Sequence, residues 1–386
     1  MARGSITPRP TKDGKVRYRV KWESRGPDGS RRHHSATRST KKAAETLLTE
    51  KLAEVDDGTF VVASKETVSQ FLERWLAASA PGWSEATLYQ YRSRVRRMDP
   101  WLGQLPLARL DELSIQNCYA RLTSSGYAPE SVASAHRVLH SALAQAVAWR
   151  LLPRNPADGA RVPRREGATP KAWNADEAET FVAKTAKDRL GALWLLGLDS
   201  GMRVGEMLAL RWRDLDVSRG VVSVQRTLTR TATGGWKIGD HAKSSKSRRA
   251  IPLDTDTVRA LRNLRAPQNE RRLACGGSWV DHDLIFDRGN GEWINPARVR
   301  EAFAAAVHRA GVTELTPHGM RHTMATLMLE AGIHPKVVQE RLGHTSIQMT
   351  LDRYSHVSMT MQHDAAQLMG SILSGKARPG RGQDAQ

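Results

Sequence analysis

Thr316-Pro317-His318-Gly319-Met320-Arg321-His322 is the stretch on which the reading of the chain turns. Thr316 can cap a helix, and Pro317 suits the first helical position, where a backbone N–H has no partner to lose. The helix then carries His318 and Arg321 in its first two turns. At 3.6 residues per turn the apolar stripe is Met324, Leu327, Met328 and Ala331. Arg321 is expected at its margin and His318 about 60° further round, both at one cleft edge. Unpaired N–H groups at a helix start favour an anion, and a guanidinium there can grip a phosphate with two bonds. A zinc reading through His318 and His322 meets Gly319 where the metalloprotease pattern needs Glu, so no metal site is expected. Taken alone, the heptapeptide suits a basic surface turn as well as a phosphate site.

The rest of the composition favours a polyanion. Among 386 residues, 59 Lys and Arg oppose 40 Asp and Glu, a net +19. No apolar run approaches the ~20 residues of a membrane span, and the first 20 residues lack a signal-peptide centre, so a soluble, cytoplasmic protein with no membrane partner is expected. Cys118 and Cys275 are too few and too far apart for a disulfide framework or a Cys-based zinc site. At about 150 residues per domain the length predicts two or three domains.

Thirteen of the basic residues, against three acids, lie in residues 1–42. There Lys15, Arg17, Arg19 and Lys21 alternate with Val16, Tyr18, Val20 and Trp22, so a strand would carry four cations on one face and four apolar groups on the other. Turn residues bracket it, residues 31–35 can follow as a further strand, and Ala44, Leu47, Leu48, Lys51 and Val55 form a helical stripe able to cover the apolar face. The cationic face is expected to bind DNA, with a solvated basic strand as the alternative.

Helical patterns follow near 67–79, 84–98, 113–124 and 129–148. Residues 150–170, with four prolines and the basic Arg161, Arg164 and Arg165, read as an interdomain linker. Beyond it, Asn174 and Glu177 form a capping pattern, with helices over 188–199 and 203–211. Residues 221–229 and 249–253 predict a small antiparallel sheet around a Gly234-Gly235 turn. Helices return from 255 to about 373, interrupted by Leu284-Ile285-Phe286, before a loose polar tail. The expected fold is multidomain, mostly α with small β-sheets.

Further along, Leu342-Gly343-His344-Thr345 joins two helices, and Tyr354 shares a helical face with Ile347 and Leu351, which alone describes an ordinary core aromatic. The order of the boxes alters that. Ser200-Gly201-Met202-Arg203-Val204-Gly205-Glu206, Lys243 through Leu253, His318-Gly319-Met320-Arg321-His322, Leu342-Gly343-His344 and Thr350-Leu351-Asp352-Arg353-Tyr354 occur in sequence. In these boxes, and in the steps of 33 residues from Arg321 and 10 from His344 to Tyr354, the chain resembles the tyrosine recombinase, or phage-type integrase, family.

The resemblance implies a site-specific DNA recombinase of a phage or integrative element. Residues 1–60 would be a basic arm-type DNA-binding domain, a three-stranded sheet plus helix. Residues 65–165 would be a helical core-binding domain with its basic linker, 170–373 a mixed α+β catalytic domain and 374–386 a flexible tail. Tyr354 would attack a phosphodiester, Arg203 and Arg321 would clamp its non-bridging oxygens, and Lys243, preferred over Lys246, would protonate the leaving 5′-oxygen. His318 and His344 would assist, and Glu206 would orient Arg203. No cofactor is implied. Double-stranded attachment-site DNA, a homotetramer on that DNA, and accessory bending and excision factors are the implied partners. The alternatives are a type IB-like topoisomerase and a non-catalytic DNA-binding regulator.

Overall fold

The alternation over Lys15–Trp22 folds as the centre of an antiparallel sheet in the computed structural model, which describes residues 4–11, 13, 15–25, 30–57, 65–163, 171–240, 248–343, 366–367, 369–371 and 373–374. The chain divides into two units between Gly167 and Ala168. In the first, β1 (Gly4–Pro10), β2 (Val16–Arg25) and β3 (Arg31–Arg38) lie in the order β1-β2-β3. Val20 stands opposite Ile6 and Ala36, and Lys21 opposite Ser5 and Ser35, so apolar and cationic rows occupy opposite faces. α1 (Lys41–Asp56), capped by the Thr40 hydroxyl, covers the apolar row. Val20, Trp22, Ala44 and Leu47 form the core. Val16 departs from the expected apolar face: opposite Pro10 at the sheet's end, it is 46% exposed.

The four helical patterns fold as α2 (Val68–Ser79), α3 (Glu85–Leu102), α4 (Glu112–Ser124) and α5 (Pro129–Ala148). Side chains of Thr67, Ser84 and Asp111 accept from backbone N–H groups at the starts of α2, α3 and α4, the groups a helix cannot satisfy itself. α3 runs past its expected end and through Pro100, and this added turn buries Leu102. The linker expected over 150–170 is corrected in its first half. Leu152, Ala157 and Ala160 are buried, Asn155 Nδ2 donates to the His140 carbonyl (3.1 Å), and the Gln116 amide pairs with both backbone groups of Arg161 (2.9 and 3.1 Å). Small residues and two well-placed amides let a helix-breaking segment dock instead of hanging free.

In the second unit Asn174 and Glu177 form the capping box of α6 (Ala175–Thr185), followed by α7 (Gly191–Ser200) and α8 (Val204–Leu208). α8 stops short of the expected 211 because the chain turns extended, with Ile285 N donating to the Leu210 carbonyl and Trp212 N to that of Asp283. The apolar patch 284–286 is thereby a buried strap. Residues 221–229, expected as one strand, are two strands of different sheets. β4 (Leu215–Asp216), β5 (Val221–Val224) and β8 (Arg249–Pro252) form one sheet, while β6 (Arg226–Arg230) pairs with β7 (Trp236–Asp240) around the expected glycine turn. Arg226 pairs with the buried Asp214 (3.2 Å) where the chain leaves the first sheet. α9 (Thr255–Asn263), α10 (Arg265–Cys275), α11 (Pro296–Ala310), α12 (Pro317–Glu330) and α13 (Pro335–Leu342) follow. Trp173, Phe181, Trp194 and Phe303 pack ring against ring at the core, with centroids 4.6 to 6.0 Å apart. Among the described residues, no helix is long and apolar enough to cross a membrane.

Candidate active site

α7 ends in a left-handed turn at Gly201 (φ 62°), a conformation that favours glycine. The Ser200 hydroxyl donates to the Leu196 carbonyl (2.5 Å) and accepts from Met202 N (3.2 Å), which fixes the exit from the helix. Arg203 then stands in extended geometry at the start of α8, its side chain 44% exposed. Three residues on, Glu206 is fully buried and accepts from Arg203 N (2.9 Å) and Arg203 Nη1 (3.0 Å).

Glu206 has a second cationic partner that the sequence reading did not identify. Arg249, at the start of β8 with only 7% of its side chain exposed, donates to Glu206 through Nη2 (2.9 Å) and Nη1 (3.3 Å). Its Nε donates to the Arg341 carbonyl (2.8 Å). Burial works against the Glu206 charge, but the Arg249 bonds and charge, together with Arg203, overcome it and hold the carboxyl down at about 2. Arg249 sits in the box that contains Ile251-Pro252-Leu253, yet nothing in that spacing separates a buried strut from a solvated arginine.

α12 begins at Pro317 after Thr316, whose side chain makes no capping bond. Arg321 is not at the margin of an apolar stripe. It is 4% exposed, within a buried face formed by Met320, Arg321, Thr323 and Met324, whereas Ala331, expected in the stripe, is exposed. The guanidinium can be buried because two carbonyls meet it: Nη1 donates to Gly201 O and Nη2 to Leu342 O, each at 2.7 Å. One arginine thus joins the turn before Arg203 to the end of the helix before His344. Arg341 adds a second tie, donating to both the carbonyl and the carboxylate of Asp199 (2.7 Å each). His318 is exposed, and its ring meets that of His322 edge-on at 5.5 Å.

Among the described residues, Arg203, Arg249, Arg321 and Arg341 outnumber Glu206 and Asp199 in this cluster, leaving a positive excess with Arg203 half-exposed. Such a cluster can hold an anion and stabilise charge that develops on it. Among the described residues, no group of three His, Cys, Asp or Glu could hold a metal ion. Of the expected site residues, Arg203, Glu206 and Arg321 are brought together around the 201–206 turn. Lys243, His344 and Tyr354 lie outside the described residues, as do Lys246, Thr345, Ile347, Leu351, Arg164 and Arg165. On the N-terminal sheet, Lys15, Arg17 and Lys21 are exposed, and half-buried Arg19 donates to the Ser35 hydroxyl (3.4 Å). Arg161 is exposed although its backbone is clipped to Gln116.

Two family models match the chain: "Phage integrase family" over residues 173–361 and "Phage integrase, N-terminal SAM-like domain" over 67–123. Together they span more than half of it. A tyrosine recombinase XerC-like protein of Caldanaerobacter subterraneus subsp. tengcongensis is 27% identical, the match covering 94% of this chain and 98% of that protein. An integrase of Saccharopolyspora erythraea is 24% identical over 80% of this chain and 83% of that protein. Among solved structures, the Tn1549 transposon integrase in complex with a circular intermediate DNA matches with a TM-score of 0.67 at 20% identity, covering 79% of this chain and 99% of that one. A lambda integrase dimer bound to a COC′ core site matches with a TM-score of 0.57 at 19% identity, covering 90% and 94%. These structural likenesses establish the fold, a mostly α chain with small antiparallel sheets. The chain belongs to the tyrosine recombinase, or phage integrase, family.

Proposed function

We propose that the protein is the integrase of a mobile DNA element, cutting and rejoining double-stranded DNA at specific sites. The observation that carries this reading is Arg321, buried between the Gly201 and Leu342 carbonyls, because it gathers the segments bearing Arg203 and leading to His344 into one cationic cluster. In this reading the Tyr354 oxygen attacks the scissile phosphorus, forming a 3′-phosphotyrosine bond. The bond to the 5′-oxygen breaks, and that oxygen takes a proton from Lys243. Arg203 and Arg321 stabilise the charge that spreads over the non-bridging oxygens, while His318 and His344 assist proton transfer and bind the phosphate. A 5′-hydroxyl from a second duplex reverses the step. The linkage retains the energy of the broken bond, so the reaction needs no ATP.

Residues 1–60 act as an arm-type DNA-binding domain through the Lys15, Arg17, Arg19 and Lys21 face, and 65–165 as a core-binding domain extended by Arg161, Arg164 and Arg165. Residues 170–373 carry the chemistry, and 374–386 form a tail. The positive surplus, and the names of relatives that are integrases of a phage and a transposon, support this assignment. The working form is a tetramer on paired sites in the cytoplasm, with accessory bending and excision factors. The test is to incubate the full chain with fragmented element and host DNA, isolate covalent complexes and sequence the attached ends. Adducts focused on one junction are expected. Plasmid relaxation without site preference would favour a type IB-like topoisomerase, and sequence-specific binding with no adduct would leave a regulator.

A further inference from the structure

We propose that Arg249 is a positioning residue for the phosphate clamp, holding Arg203 through Glu206 and the approach to His344 through Arg341. This rests on the proposed phosphodiester chemistry. Three observations carry it. Glu206 has no exposed surface, and its two oxygens receive Arg203 on one side and Arg249 on the other, so the same carboxylate that aims Arg203 is itself held by Arg249. The Nε of Arg249 reaches the Arg341 carbonyl one residue before Leu342, whose own carbonyl Arg321 holds. A Cβ at Gly343 would lie 3.1 Å from Arg249 Nη1, so the left-handed glycine before His344 is moulded against this guanidinium. Arg249 thereby lies where three chain segments meet, bonded to the carboxylate that holds Arg203.

A lysine cannot reproduce this arrangement, because its single ammonium cannot present the planar fork that meets both Glu206 oxygens and a carbonyl. Loss of Arg249 removes its two bonds to Glu206, so the buried carboxylate pulls harder on Arg203 and draws it away from a substrate.

The test compares the full chain with Arg249→Gln and Glu206→Gln on two duplexes carrying the mapped cleavage site. One has an ordinary scissile phosphate, the other a methylphosphonate, which lacks the charge that Arg203 would stabilise. Strand cleavage of the phosphate duplex should fall at least about 100-fold in both variants, with non-covalent binding retained. On the methylphosphonate duplex the gap from the wild type should shrink to a few-fold. Should the glutamine variant not fold, Arg249→Lys replaces it, and the same contrast is expected at smaller size. Equal losses on both duplexes would mean that Arg249 only maintains the fold, overturning the inference alone. Absence of cleavage by the wild type would overturn the proposed function and this inference with it.

Discussion

Arg321 Nη1 donates to the Gly201 carbonyl at 2.7 Å, so the helix that carries His318 fixes the turn two residues ahead of Arg203. A charged group this deeply buried is tolerated because its hydrogen bonds go to carbonyls at two helix ends, where the macrodipole also favours a cation. Arg321→Lys should fail to span both carbonyls and leave one unpaired. The expected cost is about 1–3 kcal/mol, read as a lower midpoint in urea unfolding, together with loss of strand cleavage.

Glu206 predicts a specific acid response. Its carboxyl lies at about 2 in the folded chain against an ordinary 4.5, so its stabilising contribution is complete above pH 4.5 and lost as the pH falls toward 2. At roughly 1.4 kcal/mol per pH unit, the contribution is about 3 kcal/mol. Urea unfolding of the wild type at a series of pH values should lose stability across that window, and Glu206→Gln should flatten the same stretch of the curve.

The docked connector makes a third prediction. Gln116→Ala removes both bonds to the Arg161 backbone, at a cost of about 1 kcal/mol per hydrogen bond. Trypsin should then cut after Arg161 several-fold faster, with the rates of cleavage within α4 and α5 unchanged. An unchanged rate at Arg161 would mean that the Asn155 bond and the packing of Leu152, Ala157 and Ala160 hold the segment without Gln116.

On the N-terminal sheet, neutralising Lys15, Arg17 and Lys21 should flatten the dependence of log K on log salt for arm-site DNA by about 0.9 per lost phosphate contact. Arg19 should contribute least of the four because its guanidinium already donates to the Ser35 hydroxyl. Filter binding or anisotropy across a salt series reads both effects.

Local chemistry made much of this legible in the sequence. Asn174 and Glu177 form a capping pattern set within three residues, and the alternation around Val20 defines a two-faced strand without reference to the rest of the chain. What escaped depends on partners far away in sequence. Arg249 meets Glu206 across 43 residues and Arg341 across 92. Arg321 looked marginal on a helical wheel because the carbonyls that permit its burial belong to residues 120 earlier and 21 later. The split of residues 221–229 between two sheets has the same origin, since periodicity within a strand does not say which neighbour it pairs with.

The phenol oxygen of Tyr354 is the proposed nucleophile, and a nicked suicide duplex carrying the mapped site tests this, because loss of the short fragment bearing the freed 5′-hydroxyl traps any covalent intermediate. The wild type should accumulate a protein–DNA adduct that survives denaturation, while Tyr354→Phe should bind the same duplex and form none. An adduct of undiminished yield with the phenylalanine variant would place the nucleophile at another residue and remove Tyr354 from the chemistry.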